Sequence, residues 1–129
     1  MTARISGLGN DVARIGRFRR FVEDDKQALL ERIFTTGELA YSLPKADPAP
    51  HLAARFAAKE AFLKALGLGL RYGISWHEVQ VVRNDLGRPA IVLSGRAEEL
   101  FRDGGHDKIH LSCSHDGDYA FATVILEGG

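Results

Sequence analysis

The sequence predicts a mixed α/β fold of the α+β kind, a mainly antiparallel sheet packed on a long central helix. Three observations predict it. Residues 52–66 repeat apolar side chains at helical spacing and stop at Gly67 and Gly69. Residues 76–83 and 90–93 are extended runs joined by the turn Asn84-Asp85-Leu86-Gly87-Arg88-Pro89. Residues 109–114 and 119–126 alternate across Asp116-Gly117, a tight-turn pair.

The remaining elements follow in order. Residues 5–9 form a short strand that runs into Asn10-Asp11, after which Val12, Ile15 and Phe18 recur at helical spacing. Glu23, Asp24 and Asp25 suit the start of a second helix, where carboxylates meet free backbone amides, with Leu29, Leu30 and Ile33 as its buried stripe. Thr35 and Glu38 have the spacing of a capping box for a brief third helix. Residues 42–50 hold three of the four prolines and read as a loop inside one domain spanning 1–129. Ser94 caps a helix that runs through Phe101.

Composition excludes several classes. Seventeen basic residues balance seventeen acidic ones, which argues against a dedicated nucleic-acid binder. No run approaches the ~20 apolar residues that cross a bilayer, so no membrane partner is expected. The opening Met1-Thr2-Ala3-Arg4 lacks the apolar core of a secretory signal, so a cytoplasmic protein is expected. The lone cysteine, Cys113, permits neither an internal disulfide nor a cysteine-rich zinc site and reads as a buried spectator thiol. The five histidines show no zinc-ligand spacing, and Ser112 and Ser114 lack the context of a nucleophile elbow.

Charge on the central helix is the main chemical signal. Leu52, Phe56, Leu63 and Leu66 form one apolar face and five alanines cover much of the rest, so the helix is packed on most sides. Only Arg55, Lys59, Glu60 and Lys64 are charged. They either pair internally, Glu60 with Lys64 for ~0.3 kcal/mol on an exposed helix, or line a polar cleft holding a metal and phosphates. Spacing alone leaves both open. Asp11 is equally a helix cap or a ligand. Gly7 and Gly9 let the backbone bend and let something approach it. His115 is a satisfied structural residue or a site residue. The segment with Arg14, Arg17, Arg19 and Arg20 is a solvated face paired with Glu23 to Asp25, or a docking patch.

Three segments taken together are more specific. Gly7-Leu8-Gly9-Asn10-Asp11-Val12, then Arg55-Phe56-Ala57-Ala58-Lys59-Glu60-Ala61-Phe62-Leu63-Lys64-Ala65, then Ser112-Cys113-Ser114-His115-Asp116-Gly117-Asp118-Tyr119-Ala120 resemble the signature set of phosphopantetheinyl transferases. Their order and separations resemble the short, single-domain acyl-carrier-protein synthase branch. Phe34-Thr35 with Glu38, and Gly87-Arg88-Pro89, are similar to further segments of that branch. Asn10 and Cys113 depart from it without removing a charge, and the proline-rich loop matches it poorly.

The resemblance implies the 4′-phosphopantetheinyl transferase fold and Mg²⁺-dependent transfer of 4′-phosphopantetheine from coenzyme A to a serine of apo acyl carrier protein. The product would be adenosine 3′,5′-bisphosphate and the setting fatty acid biosynthesis. It implies metal-binding carboxylates at Asp11 and Glu60, a phosphate-contacting Lys64, His115 near the coenzyme's phosphates, and a homotrimer with active sites between subunits. In that setting Arg55 holds a phosphate or ribose and Arg88 reaches the 3′-phosphate, while the Lys59 amine either extends into the cleft or is structural. Lys45 and His51 are weaker coenzyme candidates. Arg14, Arg17 and Arg20 dock an acidic carrier protein. The competing reading is a non-catalytic coenzyme-binding or trimeric interaction module with the same fold.

Overall fold

Ladder pairing and helix stops divide residues 2–129, which the computed structural model describes, into ten regular elements and one 3₁₀ turn. β1 (Arg4–Arg14) leads into α1 (Ile15–Glu23), α2 (Gln27–Ile33), α3 (Thr36–Ser42) and α4 (Pro48–Leu66). The 3₁₀ turn Trp76–Glu78 opens a hairpin of β2 (Val79–Arg83) and β3 (Pro89–Leu93). Then α5 (Gly95–Asp103) precedes a second hairpin, β4 (His106–Asp116) and β5 (Tyr119–Gly128). Every pairing is antiparallel, in two sheets ordered β1-β5-β4 and β2-β3. Alternation identified the strands; it carries no information about which edges join, so the division into two sheets was not legible.

α4 is the axis of the fold. It is buried on nearly all sides, by β1 and β5 along one flank and α1 along another. Alanines 53, 57, 58, 61 and 65 are all buried and let those neighbours approach closely. The β1 glycines complete that approach. A Cβ on Gly7 would lie 2.5 Å from the Ala65 carbonyl oxygen, and one on Gly9 would meet the Ala61 carbonyl and lie 2.6 Å from the Ala65 nitrogen. What comes close to these glycines is the helix backbone.

Several boundaries differ from the sequence expectation. β1 continues through Arg14, so Asp11 lies mid-strand, opposite Ala122, and is not a helix cap. Pairing of Val12, Ala13 and Arg14 with Phe121, Ala120 and Tyr119 outweighs their helical spacing. Glu23 to Asp25 close α1 and turn the chain; Asp25 has φ 52° and α2 begins only at Gln27. The capping box forms as expected: Thr35 Oγ1 accepts from the Glu38 amide at 3.2 Å, and Glu38 Oε1 accepts from the Thr35 amide at 2.8 Å. Pro48 and Pro50 belong to the first turn of α4, where their missing N–H groups cost nothing. Gly67 ends that helix in the left-handed conformation, φ 77°. Residues 76–78 form the 3₁₀ turn and not strand.

The three-stranded sheet turns one face to α4 and leaves the other uncovered. On that outer face Leu8 is 64%, Val12 54%, Tyr119 42% and Phe121 38% exposed. No helix among the described residues is long and apolar enough to cross a membrane.

Candidate active site

Two clefts open on different faces of α4. The first, about 790 Å³, lies between the end of β1, α1 and α4 and is lined by Asp11, Arg14, Arg17, Arg20, Phe56 and Glu60, among others. Strand alternation turns Asp11 inward with Gly7, Gly9 and Ala13, toward the helix turn that carries Glu60. Burial pushes the Glu60 carboxyl up from its ordinary value, and the nearby Asp11 charge pushes it further; Lys64 and Arg17 oppose both. Lys64 does not pair with Glu60 as the four-residue spacing suggested. Its Nζ donates to Asp11 Oδ1 at 2.6 Å, across from helix to strand, which holds the ammonium above its ordinary value. Among the described residues Glu60 makes no ion pair.

A carboxylate whose ionisation is penalised by burial and by a second carboxylate beside it, as at Glu60, is what a divalent cation relieves. The described residues hold no cluster of three or more His, Cys, Asp or Glu groups suited to a metal. The donor set therefore fits Mg²⁺, which takes one or two carboxylates and draws its other ligands from phosphate and water, and does not fit zinc.

The arginines share this cleft. Arg17 lies 5.2 to 5.7 Å from the ring centroids of Phe18, Phe21 and Phe56, an aromatic bed that holds the guanidinium at the surface. Arg14, Arg17 and Arg20 form no ion pair with Glu23 to Asp25; only Arg19 is engaged, with Asp47 at 2.6 Å.

The second cleft, about 270 Å³, lies between the start of α4, β2 and the end of β4. It is cationic. Arg55 is 7% exposed, donates through Nη1 to the His51 carbonyl at 3.2 Å, and keeps a buried Nε with no partner. Its guanidinium stacks 4.3 Å from the Tyr41 ring centroid; Arg83 lies 5.0 Å and Lys45 4.4 Å from the same ring. Burial lowers the Arg55 and His51 proton affinities, and neighbouring cations lower them further. His115 is exposed in the lining. The two clefts share no lining residue.

Residues 7–124 match the family model of the 4′-phosphopantetheinyl transferase superfamily. The chain belongs to that superfamily. Relatives narrow the branch. A holo-[acyl-carrier-protein] synthase of Syntrophotalea carbinolica is 65% identical over 124 residues, covering 96% of this chain and 97% of the relative. The solved holo-[acyl-carrier-protein] synthase of Neisseria meningitidis superposes with TM-score 0.83 at 34% identity, covering 95% of this chain and 98% of that one. That of Bacillus anthracis, in complex with CoA (3′,5′-ADP), gives 0.77 at 31% identity over 97% and 98%.

This phosphopantetheinyl transferase gathers the expected residues unevenly. Asp11, Glu60, Arg14, Arg17 and Arg20 meet in the first cleft with Lys64 reaching in, and Arg55 and His115 meet in the second. Lys59 needs correction. Its side chain is 0% exposed and its amine bonds to Glu38 and to backbone carbonyls, because α4 turns that position away from both clefts into the protein interior. Arg88 stands on the exposed turn, outside the cleft lining, and Asn84 Oδ1 accepts from the Leu86 and Arg88 amides to hold that turn. Arg83, one strand end away, lines the cleft instead. Cys113 is half-buried and not fully buried as expected; alternation with the β5 core places it in the lining of the second cleft, where burial pushes its thiol up. Tyr41 and Phe21 lie outside the motif segments, and only tertiary packing brings them to the cations of the two clefts.

Proposed function

We propose that this single-domain chain transfers 4′-phosphopantetheine from coenzyme A to a serine of apo acyl carrier protein, with Mg²⁺, releasing adenosine 3′,5′-bisphosphate in the cytoplasm. One observation carries the reading: Asp11 and Glu60 share a cleft, and of the two only Asp11 is ion-paired, with Lys64. The donor set suits Mg²⁺ held by Asp11 and Glu60. When bound, the ion neutralises charge on the diphosphate and orients it. Lys64, freed from Asp11, contacts the phosphate or the leaving oxygen. Glu60, or a water on the ion, would accept the serine proton. Arg55, with its unpartnered Nε, and His115 hold the coenzyme's phosphates in the second cleft. Arg14, Arg17 and Arg20 beside the carboxylates receive the acidic carrier.

The apolar outer sheet face and the separation of the two clefts support a homotrimer. Packing three outer faces together would set the carboxylate cleft of one subunit against the cationic cleft of the next, so that one coenzyme spans both.

The test is to incubate the protein with coenzyme A, Mg²⁺ and an apo carrier protein and weigh the carrier. A gain of one phosphopantetheine, abolished by EDTA and by Glu60→Ala, supports the reading. No gain on free carriers or on excised synthase carrier domains overturns it and favours a non-catalytic coenzyme-binding module.

A further inference from the structure

We infer that the buried Glu38–Lys59 pair is a positioning device that fixes the rotation of α4 and so aims Glu60 at Asp11. The inference rests on the reading in which those two carboxylates hold a divalent ion.

Both side chains are 0% exposed and 2.9 Å apart. Their polar atoms are fully used. Lys59 Nζ also donates to the carbonyls of Trp76 at 3.0 Å and Val79 at 2.7 Å. Glu38 Oε1 accepts from the Thr35 amide at 2.8 Å, and Oε2 from the Val81 amide at 2.7 Å. Apart from each other, every partner is backbone, drawn from the start of α3, the 3₁₀ turn and β2.

Stability is a weak explanation for such a pair. Removing two charges from water costs about as much as their attraction returns, and well-packed apolar replacements are often neutral or better. Burial, with a further push from the Arg55 charge, lowers the Lys59 proton affinity against the pull of Glu38. Directionality is the stronger explanation. α4 is buried on nearly all sides and presents alanine at 53, 57, 58, 61 and 65. Phe62 lies off the stripe of Leu52, Phe56 and Leu63, and buried alanines cover the remaining flanks, so no single apolar face defines the rotation of the helix, and one residue of slip turns it by about 100°. Five short bonds to three other elements define that rotation. Glu60 is the next residue, so any turn of α4 moves its carboxyl directly. The best-attested use of buried polar groups is this kind of register control.

The experiment measures Mn²⁺ affinity by electron paramagnetic resonance on the full chain. Three proteins are compared: wild type, the charge-free double variant Glu38→Gln/Lys59→Met, and Phe62→Leu, a core change on the same helix that leaves the pair intact. The expected result is a loss of affinity of about tenfold or more in the double variant. Phe62→Leu should stay within about twofold of wild type however far its melting temperature drops. A double-variant loss under about fivefold, or equal losses in both variants, overturns the inference. Should the double variant fail to melt cooperatively, Glu38→Asp, which keeps the charge but withdraws it from its partners, is read against the same thresholds. Wild-type Mn²⁺ binding that survives Glu60→Ala would instead overturn the carboxylate reading, and this inference with it.

Discussion

Gly9→Ala tests the close approach on which the first cleft is built. The added methyl would meet the Ala61 carbonyl, lie 2.6 Å from the Ala65 nitrogen and 3.0 Å from the Lys64 Cβ. Two of those neighbours are helix backbone and have no rotamer to change, so β1 or α4 must move. Overpacking a core typically costs about 1–3 kcal/mol, and contact with backbone places this site near 3. At the usual unfolding entropy per residue, that lowers the melting temperature of a 129-residue domain by about 11 °C. Asp11 is two residues along the displaced strand, so Mn²⁺ affinity should fall as well. The control is Gly16→Ala in α1, where an added Cβ meets nothing within 4 Å. There, better helix propensity should raise stability by about 0.5–1 kcal/mol. Thermal unfolding followed by circular dichroism reads both. A Gly9→Ala protein melting within about 2 °C of wild type would refute the packing account.

Lys64→Ala should leave the melting temperature nearly unchanged, because its pair with Asp11 is half exposed. Its kcat should fall about 10²–10³-fold, as when one transition-state donor is lost; an unchanged kcat would remove Lys64 from the site. Arg17→Glu should raise the KM for carrier protein and leave that for coenzyme A unchanged, and equal carrier KM values in mutant and wild type would contradict docking at α1. Iodoacetamide should alkylate Cys113 more slowly than free cysteine at neutral pH and faster as pH rises, since burial raises its thiol. Adenosine 3′,5′-bisphosphate, which has no thiol to consume the reagent, should slow the reaction further, and labelling at the free-cysteine rate, unaffected by that nucleotide, would contradict binding in the second cleft. Phe121→Glu on the outer sheet face should sediment as monomer and lose transfer activity; an active trimer would place the interface elsewhere.

Local signals were legible and long-range ones were not. The α4 helix and the Thr35–Glu38 box depend on residues within one or two turns, and both formed. Asp11 was misplaced at a helix start because its strand register is set by β5, more than 100 residues away. Glu38 was legible as a cap, yet its second task depends on Lys59, which only the docking of α3 on α4 brings near. Lys64 had an obvious partner four residues back and took one on another element. The cations around Tyr41 come from α4, β2 and the proline-rich loop, a meeting that no spacing rule encodes. Of the charged groups of the two clefts, Asp11, Arg55, Glu60 and Lys64 were legible as members of a motif. Their pairings had to come from the fold.

The most direct test of the central claim is to count bound Mn²⁺ in wild type and Asp11→Asn by electron paramagnetic resonance. Shared coordination by Asp11 and Glu60 predicts one tightly held ion per chain in the wild type and none in the variant at the same free Mn²⁺. An Asp11→Asn protein that retains the ion with wild-type affinity would contradict it.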